Sequence, residues 1–315
     1  MKYRRLGRSG LKVSEISLGS WLTYGGSVDG DRSEAVIDRA YELGINFFDT
    51  ANVYYRGAAE EIMGKALRKY KRDSYVLATK CFFPMGDGPN DRGLSRKHIM
   101  EQCEASLKRM NMDYFDLYQC HRFDPDVPMD ETLRALDDLV RQGKVLYVGV
   151  SEWSAVQISE AVHTANARNF DQIVSNQPQY NMLQRKIEAD VVPTSERLGV
   201  GQIVFSPLAQ GVLTGKYKPG APLPAGSRAT DDKSNMFMQS VLQDEVLRKV
   251  ERLQEIALRK EIGVTQLALA WILRLPNISS CIVGASSPQQ IEDNAKASGV
   301  TFTAEELQEI ETILA

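Results

Sequence analysis

Short, almost wholly apolar runs alternate along this chain with longer segments in which apolar residues recur every three or four positions. The first residues alternate around a turn, and 3–6, 7–10 and 11–13 predict a small β-hairpin. Apolar runs at 16–18, 45–48, 75–79, 115–120, 145–150, 172–175, 201–205 and 280–283 read as strands covered on both faces. Helical periodicity fills the intervals. It predicts helices over 33–43, 58–69, 96–110, 129–142, 155–167, 186–198 and 242–260, and a further helix over 264–275 before the last strand. In the first of these, Ala35, Val36, Ala40 and Leu43 share a face and Gly44 is a natural stop. The tail predicts helices near 288–297 and 304–313.

Strands separated by helices indicate parallel βαβ units. Eight of them, spaced by roughly 30 residues, match a closed (β/α)8 barrel carried by one domain over 1–315. An open doubly wound sheet would show a G-x-G-x-x-G turn after its first strand. The turn here reads Gly19-Ser20-Trp21-Leu22-Thr23-Tyr24 and does not fit. Residues 211–240 form a long segment rich in Gly, Pro, Ser and charge. A loop of that length is functional or a tolerated insertion, and its place after the seventh strand predicts a lid or a cofactor clamp.

Composition narrows the function. A net charge of -3 with no basic stripe gives no footprint for a nucleic-acid partner. No apolar run has the length of a membrane span, and Met1-Lys2-Tyr3-Arg4-Arg5 does not lead into a signal core, so a cytoplasmic location is expected. Cys81, Cys103, Cys120 and Cys281 show no pairing motif, as in a reducing compartment. His98, His121 and His163 lack ligand spacing, and no metal is expected.

In a parallel barrel the strand ends face one mouth, where the chemistry is placed. The second strand stops at Asp49, with Tyr54 five residues on; the third ends at Lys80 and the fourth at His121. Singly, each has an ordinary explanation: a helix cap, a solvated strand end, a structural histidine. Jointly they suit carbonyl reduction, which needs a hydride on carbon and a proton on the developing alkoxide. Tyr54 would be the general acid. Lys80 would stabilise the tyrosinate and lower its pKa. Asp49 would hold Lys80, and His121 would orient the carbonyl.

The motifs GINFFDTANVYY, VLATK, FDLYQCHRFD, GKVLYVGVSEW, SNQPQYNML, FSPLAQGVLTGKY and IVGASSPQQIEDN carry a resemblance over nearly the whole chain. The chain resembles the aldo-keto reductase superfamily, in the branch of the potassium-channel β-subunits and their bacterial relatives. The resemblance implies a barrel that binds NADP(H) across its mouth without a Rossmann fold, and a tetrad of Asp49, Tyr54, Lys80 and His121. Ser151 and Gln177 match holders of the nicotinamide carboxamide, with Asp49 close by. Ser20 and Trp21 match residues beside nicotinamide and substrate, so Trp21, Tyr54 and His121 are expected to touch substrate. Phe205 matches a ring against the nicotinamide face. Ser206, Pro207, Leu208, Gln210, Gly211 and Lys216 match a pyrophosphate clamp, and Arg228 a residue reaching the adenosine phosphate. Gly284, Ser286, Gln290, Asp293 and Asn294 match the adenosine site. Two departures stand out: Glu152, at a cofactor position, replaces Asn or Arg, and GASSPQQIEDN contains no Lys or Arg for a 2′-phosphate.

The resemblance implies an NADPH-dependent oxidoreductase acting on CH–OH groups, with a small-molecule carbonyl substrate. The alternative is an NADP(H)-binding, redox-sensing regulatory subunit for a protein partner. Channel-associated relatives carry Asn where this chain has His121, which favours turnover. A phosphosugar-handling barrel would use the clamp but leave the rim without a role. Trp21, Tyr24, Tyr55, Phe82, Phe83, Trp153 and Met236 are candidates for lining the substrate pocket or for loop-anchoring core.

Overall fold

Each short apolar run pairs in parallel with the next, and the last returns to the first. In the computed structural model, residues 1–21, 30–230, 238 and 241–315 are described. The hairpin is β1 (Tyr3–Arg5) and β2 (Lys12–Ser14). The barrel strands are β3 (Ile16–Gly19), β4 (Phe47–Asp49), β5 (Val76–Cys81), β6 (Phe115–Cys120), β7 (Val145–Ser151), β8 (Ile173–Gln177), β9 (Gly201–Val204) and β10 (Ile278–Val283). They form a closed ring in chain order, with β10 paired to both β9 and β3. Around it lie α1 (Gly30–Glu42), α2 (Ala58–Leu67), α3 (Arg96–Met110), α4 (Met129–Arg141), α5 (Ala155–Arg168), α6 (Val191–Leu198), α7 (Asp244–Arg259) and α8 (Val264–Leu273). The helices α9 (Pro288–Ala295) and α10 (Ala304–Leu314) follow β10.

Two cores result from the two-residue period of the strands. Outward residues such as Phe48, Leu77, Tyr118 and Cys120 join the large apolar layer beneath the helices. Inward residues Phe47, Val76, Ala78, Leu117, Ile203 and Ile282 make a second cluster inside the ring, together with Leu6 and Val13 of the hairpin segment. The hairpin region therefore contributes to the inner core at the strand starts. Toward the strand ends the same inward faces turn polar: Asp49 after Phe47, Lys80 after Ala78, and Gln119 after Leu117.

Boundaries shift where side chains compete with the ladder. Strand β4 begins at Phe47 rather than 45, because Asn46 is tied to the hairpin: its Oδ1 accepts from Ser14 N at 2.8 Å and its Nδ2 donates to Lys12 O at 3.0 Å. Strands β5 and β8 run on to Cys81 and Gln177, and β9 stops at Val204 with Phe205 in an isolated bridge to Gln179. The helix expected over 186–198 is a short 3-10 turn, Lys186–Glu188, followed by α6. Asp190 breaks it, its side chain accepting from Val191 N at 2.7 Å.

Candidate active site

The inward positions of five neighbouring strands, β4 to β8, build the floor. Parallel register sets Asp49 beside Ala78, Lys80 beside Gln119, and Ser151 beside Gln177. Lys80 Nζ donates to Asp49 Oδ1 at 2.5 Å and to Thr50 O at 2.8 Å. The second carboxylate oxygen accepts from Gln177 Nε2 at 2.9 Å and from Gln119 Nε2 at 3.3 Å. Asp49 is thus held from three strands, and Ser151 Oγ fixes Gln177 by donating to its backbone carbonyl at 2.8 Å. Burial pushes the Lys80 ammonium below its ordinary range, opposed by the carboxylate of Asp49.

Tyr54 comes from the loop after β4. Its turn, Tyr54–Gly57, is followed through left-handed backbone at Tyr55 (φ 47°), Arg56 (φ 52°) and Gly57 (φ 99°). Gly57 has a further reason to lack a side chain: a Cβ there would lie 2.6 Å from Arg109 Cδ. Arg109 in turn pairs with the fully buried Glu60 at 2.6 Å, which anchors this loop to α3. The Tyr54 hydroxyl has no hydrogen-bond partner among the described residues. Its ring centroid is 5.3 Å from Lys80 Nζ and 5.6 Å from the His121 ring.

Two titrations follow from this setting. Burial, and then the charge of Asp49, hold the Tyr54 phenol well above the ordinary tyrosine range, with Arg122 acting in the opposite sense. The expected lowering by Lys80 is not what results, because burial outweighs it and the ammonium is already engaged by Asp49 and Thr50. Burial, then Lys80 and Arg122, hold the His121 imidazole well below its ordinary value, so it is neutral. Its Nδ1 is buried without a partner among the described residues.

Above this floor lies a cavity of about 1420 Å³, larger than the roughly 300–1,000 Å³ that suits a drug-sized ligand. Its lining includes Asp49, Tyr54, His121, Ser151, Glu152 and Gln177 from the ends of β4, β6, β7 and β8. Phe205, Ser206, Pro207, Leu208, Gln210 and Gly211, from the segment after β9, line it with Lys216 and Arg228. Gly284, Ser286, Gln290, Asp293 and Asn294, from the segment after β10, line it as well. Ser20 and Lys80 are wholly buried behind the wall; Ser20 Oγ donates to Thr50 Oγ1 at 2.8 Å.

The segment after β9 is a backbone cradle. Ser206, Ala209, Gln210 and Gly211 all have positive φ, and a Cβ on Gly211 would lie 3.3 Å from Lys216 Nζ. Arg228 donates to Gln210, and Gln210 Nε2 to Ser206 Oγ at 3.0 Å, so the long loop is tied to the end of β9. Lys216 has no carboxylate partner among the described residues. A cradle of left-handed backbone beside such a cation suits a phosphate-bearing ligand. Among the described residues, no group of three His, Cys, Asp or Glu side chains could hold a metal ion.

Some aromatic candidates move. Trp21, Tyr55 and Phe83 line the cavity. Trp153 is core, its ring 5.1 Å from Phe123, and Phe82 packs against the core with its ring 5.3 Å from Phe83. Tyr24 and Met236 lie outside the described residues. Two cavity cations were missed in the sequence. Arg122 directly follows His121, where the FDLYQCHRFD motif already displayed it. Arg32, in the first turn of α1, donates to Ser286 O at 3.4 Å and lines the cavity beside the segment after β10, which has no Lys or Arg over 284–294.

Comparison with known proteins gives concordant results. The model of the Aldo/keto reductase family matches residues 15–315. A protein of Arabidopsis thaliana named "Probable voltage-gated potassium channel subunit beta" is 47% identical, over 94% of this chain and 91% of its own length. One of the same name from Oryza sativa subsp. japonica is 44% identical, over 100% of this chain and 97% of its own.

Proposed function

The chain belongs to the aldo/keto reductase family, and on that premise we propose that it is an NADPH-dependent reductase of aldehydes and ketones. The observation that carries this reading is the convergence of Tyr54, neutral His121 and the Lys80–Asp49 pair at a cavity that the left-handed backbone of 206–211 also lines. Bound NADPH would supply the hydride. Ser151 and Gln177 would hold its carboxamide near Asp49, and Trp21 and Phe205 would flank the ring. The 206–211 cradle and Lys216 would take the pyrophosphate. Gly284, Gln290, Asp293 and Asn294 would surround the adenosine, with Arg228, Arg32 and Ser286 toward the 2′-phosphate.

The protein's own groups then handle the carbonyl. His121, with burial keeping it neutral, hydrogen-bonds the carbonyl oxygen and sets its direction. Tyr54 keeps its proton across neutral pH and releases it only as charge develops on that oxygen. Lys80, 5.3 Å from the ring, stabilises the tyrosinate at that moment, and Asp49 opposes the loss of charge that burial of the ammonium favours. The four buried free cysteines fit a reducing, cytoplasmic setting. The names of the relatives favour a second reading, an NADP(H)-binding regulatory subunit for a channel-type protein partner.

The test is NADPH consumption with a reactive aromatic aldehyde, in the wild type and Tyr54→Phe, with NADPH affinity followed by fluorescence. Loss of turnover by about 10²–10⁴-fold with affinity retained is expected of a lost general acid. Tight binding without turnover on any reactive carbonyl would move the assignment to the regulatory reading. Failure to bind either nicotinamide cofactor would overturn both.

A further inference from the structure

Arg122 is a cation beside the reacting groups whose charge acts on Tyr54 and His121 but whose guanidinium no step above engages directly. It lines the cavity with Tyr54 and His121, and its guanidinium stacks 5.4 Å from the centroid of the Phe83 ring. Nη1 donates to His121 O at 2.5 Å. A guanidinium has five N–H donors, and among the described residues no carboxylate pairs with this one. Neighbouring cations are accounted for: Lys80 is paired with Asp49 and Arg109 with Glu60. Phe83 itself packs edge-on against the His121 ring at 4.9 Å, so the stack places Arg122 beside the imidazole that would orient the carbonyl. Its charge is felt by Tyr54, Lys80 and His121 alike.

A half-buried guanidinium loses solvation when a neutral ligand covers it and gains a charge-assisted, bidentate partner when an anion does. We propose that this site prefers aldehydes or ketones that carry an anionic group, a carboxylate or phosphate, which Arg122 binds while the carbonyl faces Tyr54 and His121. The proposal rests on the reductase reading and names the substrate class of that site. Arg122 would be a substrate-binding residue, acting on KM more than on kcat.

The experiment compares para-carboxybenzaldehyde with its methyl ester, which keeps the ring and removes the charge; because the ester also withdraws electrons and makes the carbonyl more reactive, the comparison is read on KM and not on kcat, and para-formylphenyl phosphate gives the phosphate arm. A KM for an anionic aldehyde about tenfold or more below that of the ester is expected from one charge-assisted pair. That ratio should collapse in Arg122→Gln and recover in part in Arg122→Lys. Whichever anion shows the larger ratio identifies the group. In parallel, calorimetry measures binding of the product para-(hydroxymethyl)benzoate to the wild type and Arg122→Gln. Equal KM values for acid, phosphate and ester, or a charge preference that survives Arg122→Gln, would overturn the proposal. If no aldehyde is reduced, the reductase reading fails, and calorimetry still decides. Product binding that is lost in Arg122→Gln keeps the anion site; binding that is absent or unaffected removes it.

Discussion

Lys80 Nζ sits 2.5 Å from Asp49 Oδ1, with side-chain exposures of 0% and 4%. Such a pair is weak evidence for stability, yet breaking it from one side leaves an uncompensated buried charge. Asp49→Asn should therefore cost about 3–5 kcal/mol, measured by urea denaturation. Adding Lys80→Met should return part of that loss, since the orphaned ammonium goes too. Additive penalties in the double variant would mean that the two groups do not act as a pair.

The turn that delivers Tyr54 depends on Gly57. An alanine there would have to adopt φ near 99° and place its Cβ 2.6 Å from Arg109 Cδ. Gly57→Ala should destabilise by at least about 1 kcal/mol. It should also lower kcat more than NADPH affinity, because the cradle at 206–211 lies on another loop. Unchanged kcat alongside lowered stability would detach this turn from the placement of Tyr54.

These two sites differ in how far the sequence disclosed them. Asp49, Lys80 and His121 were legible because the two-residue period and the parallel order place strand ends at one mouth, and a polar residue closing an apolar run is conspicuous. The fold was legible for the same reason. The helix expected from residue 58 says nothing of the turn before it: left-handed backbone at Tyr55 and Arg56 carries no local signature, since neither is Gly or Asn. The direction of the Tyr54 shift needed coordinates: it depends on burial first and then on the nearby charge of Asp49. Arg122 stands in the FDLYQCHRFD motif with no local sign that it lines the cavity. Arg32 lies 254 residues before Ser286, and only the closure of β10 onto β3 brings α1 beside α9. The Arg39–Glu292 ion pair at 2.7 Å joins the same two helices.

That closure yields a cofactor prediction. Arg32 lines the cavity beside the segment after β10, which holds no Lys or Arg over 284–294. Hydrogen bonds to a charged partner contribute about 1.5–3 kcal/mol, so Arg32→Ala should weaken NADPH binding by roughly tenfold or more and leave NADH, which lacks the 2′-phosphate, nearly unaffected. Fluorescence titration with both cofactors checks it. An equal loss for both would assign Arg32 to holding α1 against the loop at Ser286, with no contact to the phosphate.

His121 gives a prediction with a definite sign. Burial, Lys80 and Arg122 depress its pKa in the folded protein below the ordinary 6.5. Between the folded value and 6.5 the unfolded chain binds a proton that the folded chain refuses, so stability falls as pH falls through that window and is unaffected by this group above it. The slope for one proton is about 1.4 kcal/mol per pH unit. Relative to His121→Gln, which cannot titrate, the wild type should lose stability on going from about pH 7.5 to about pH 5.5, read as a difference in urea midpoints. Carbonyl reduction should show no inflection near 6.5 from this residue, because the imidazole that meets the carbonyl is neutral on both sides of it. An inflection there in the wild type that vanishes in His121→Gln would mean that the imidazole is solvated and titrates normally, and the neutral hydrogen-bonding role would have to be given up.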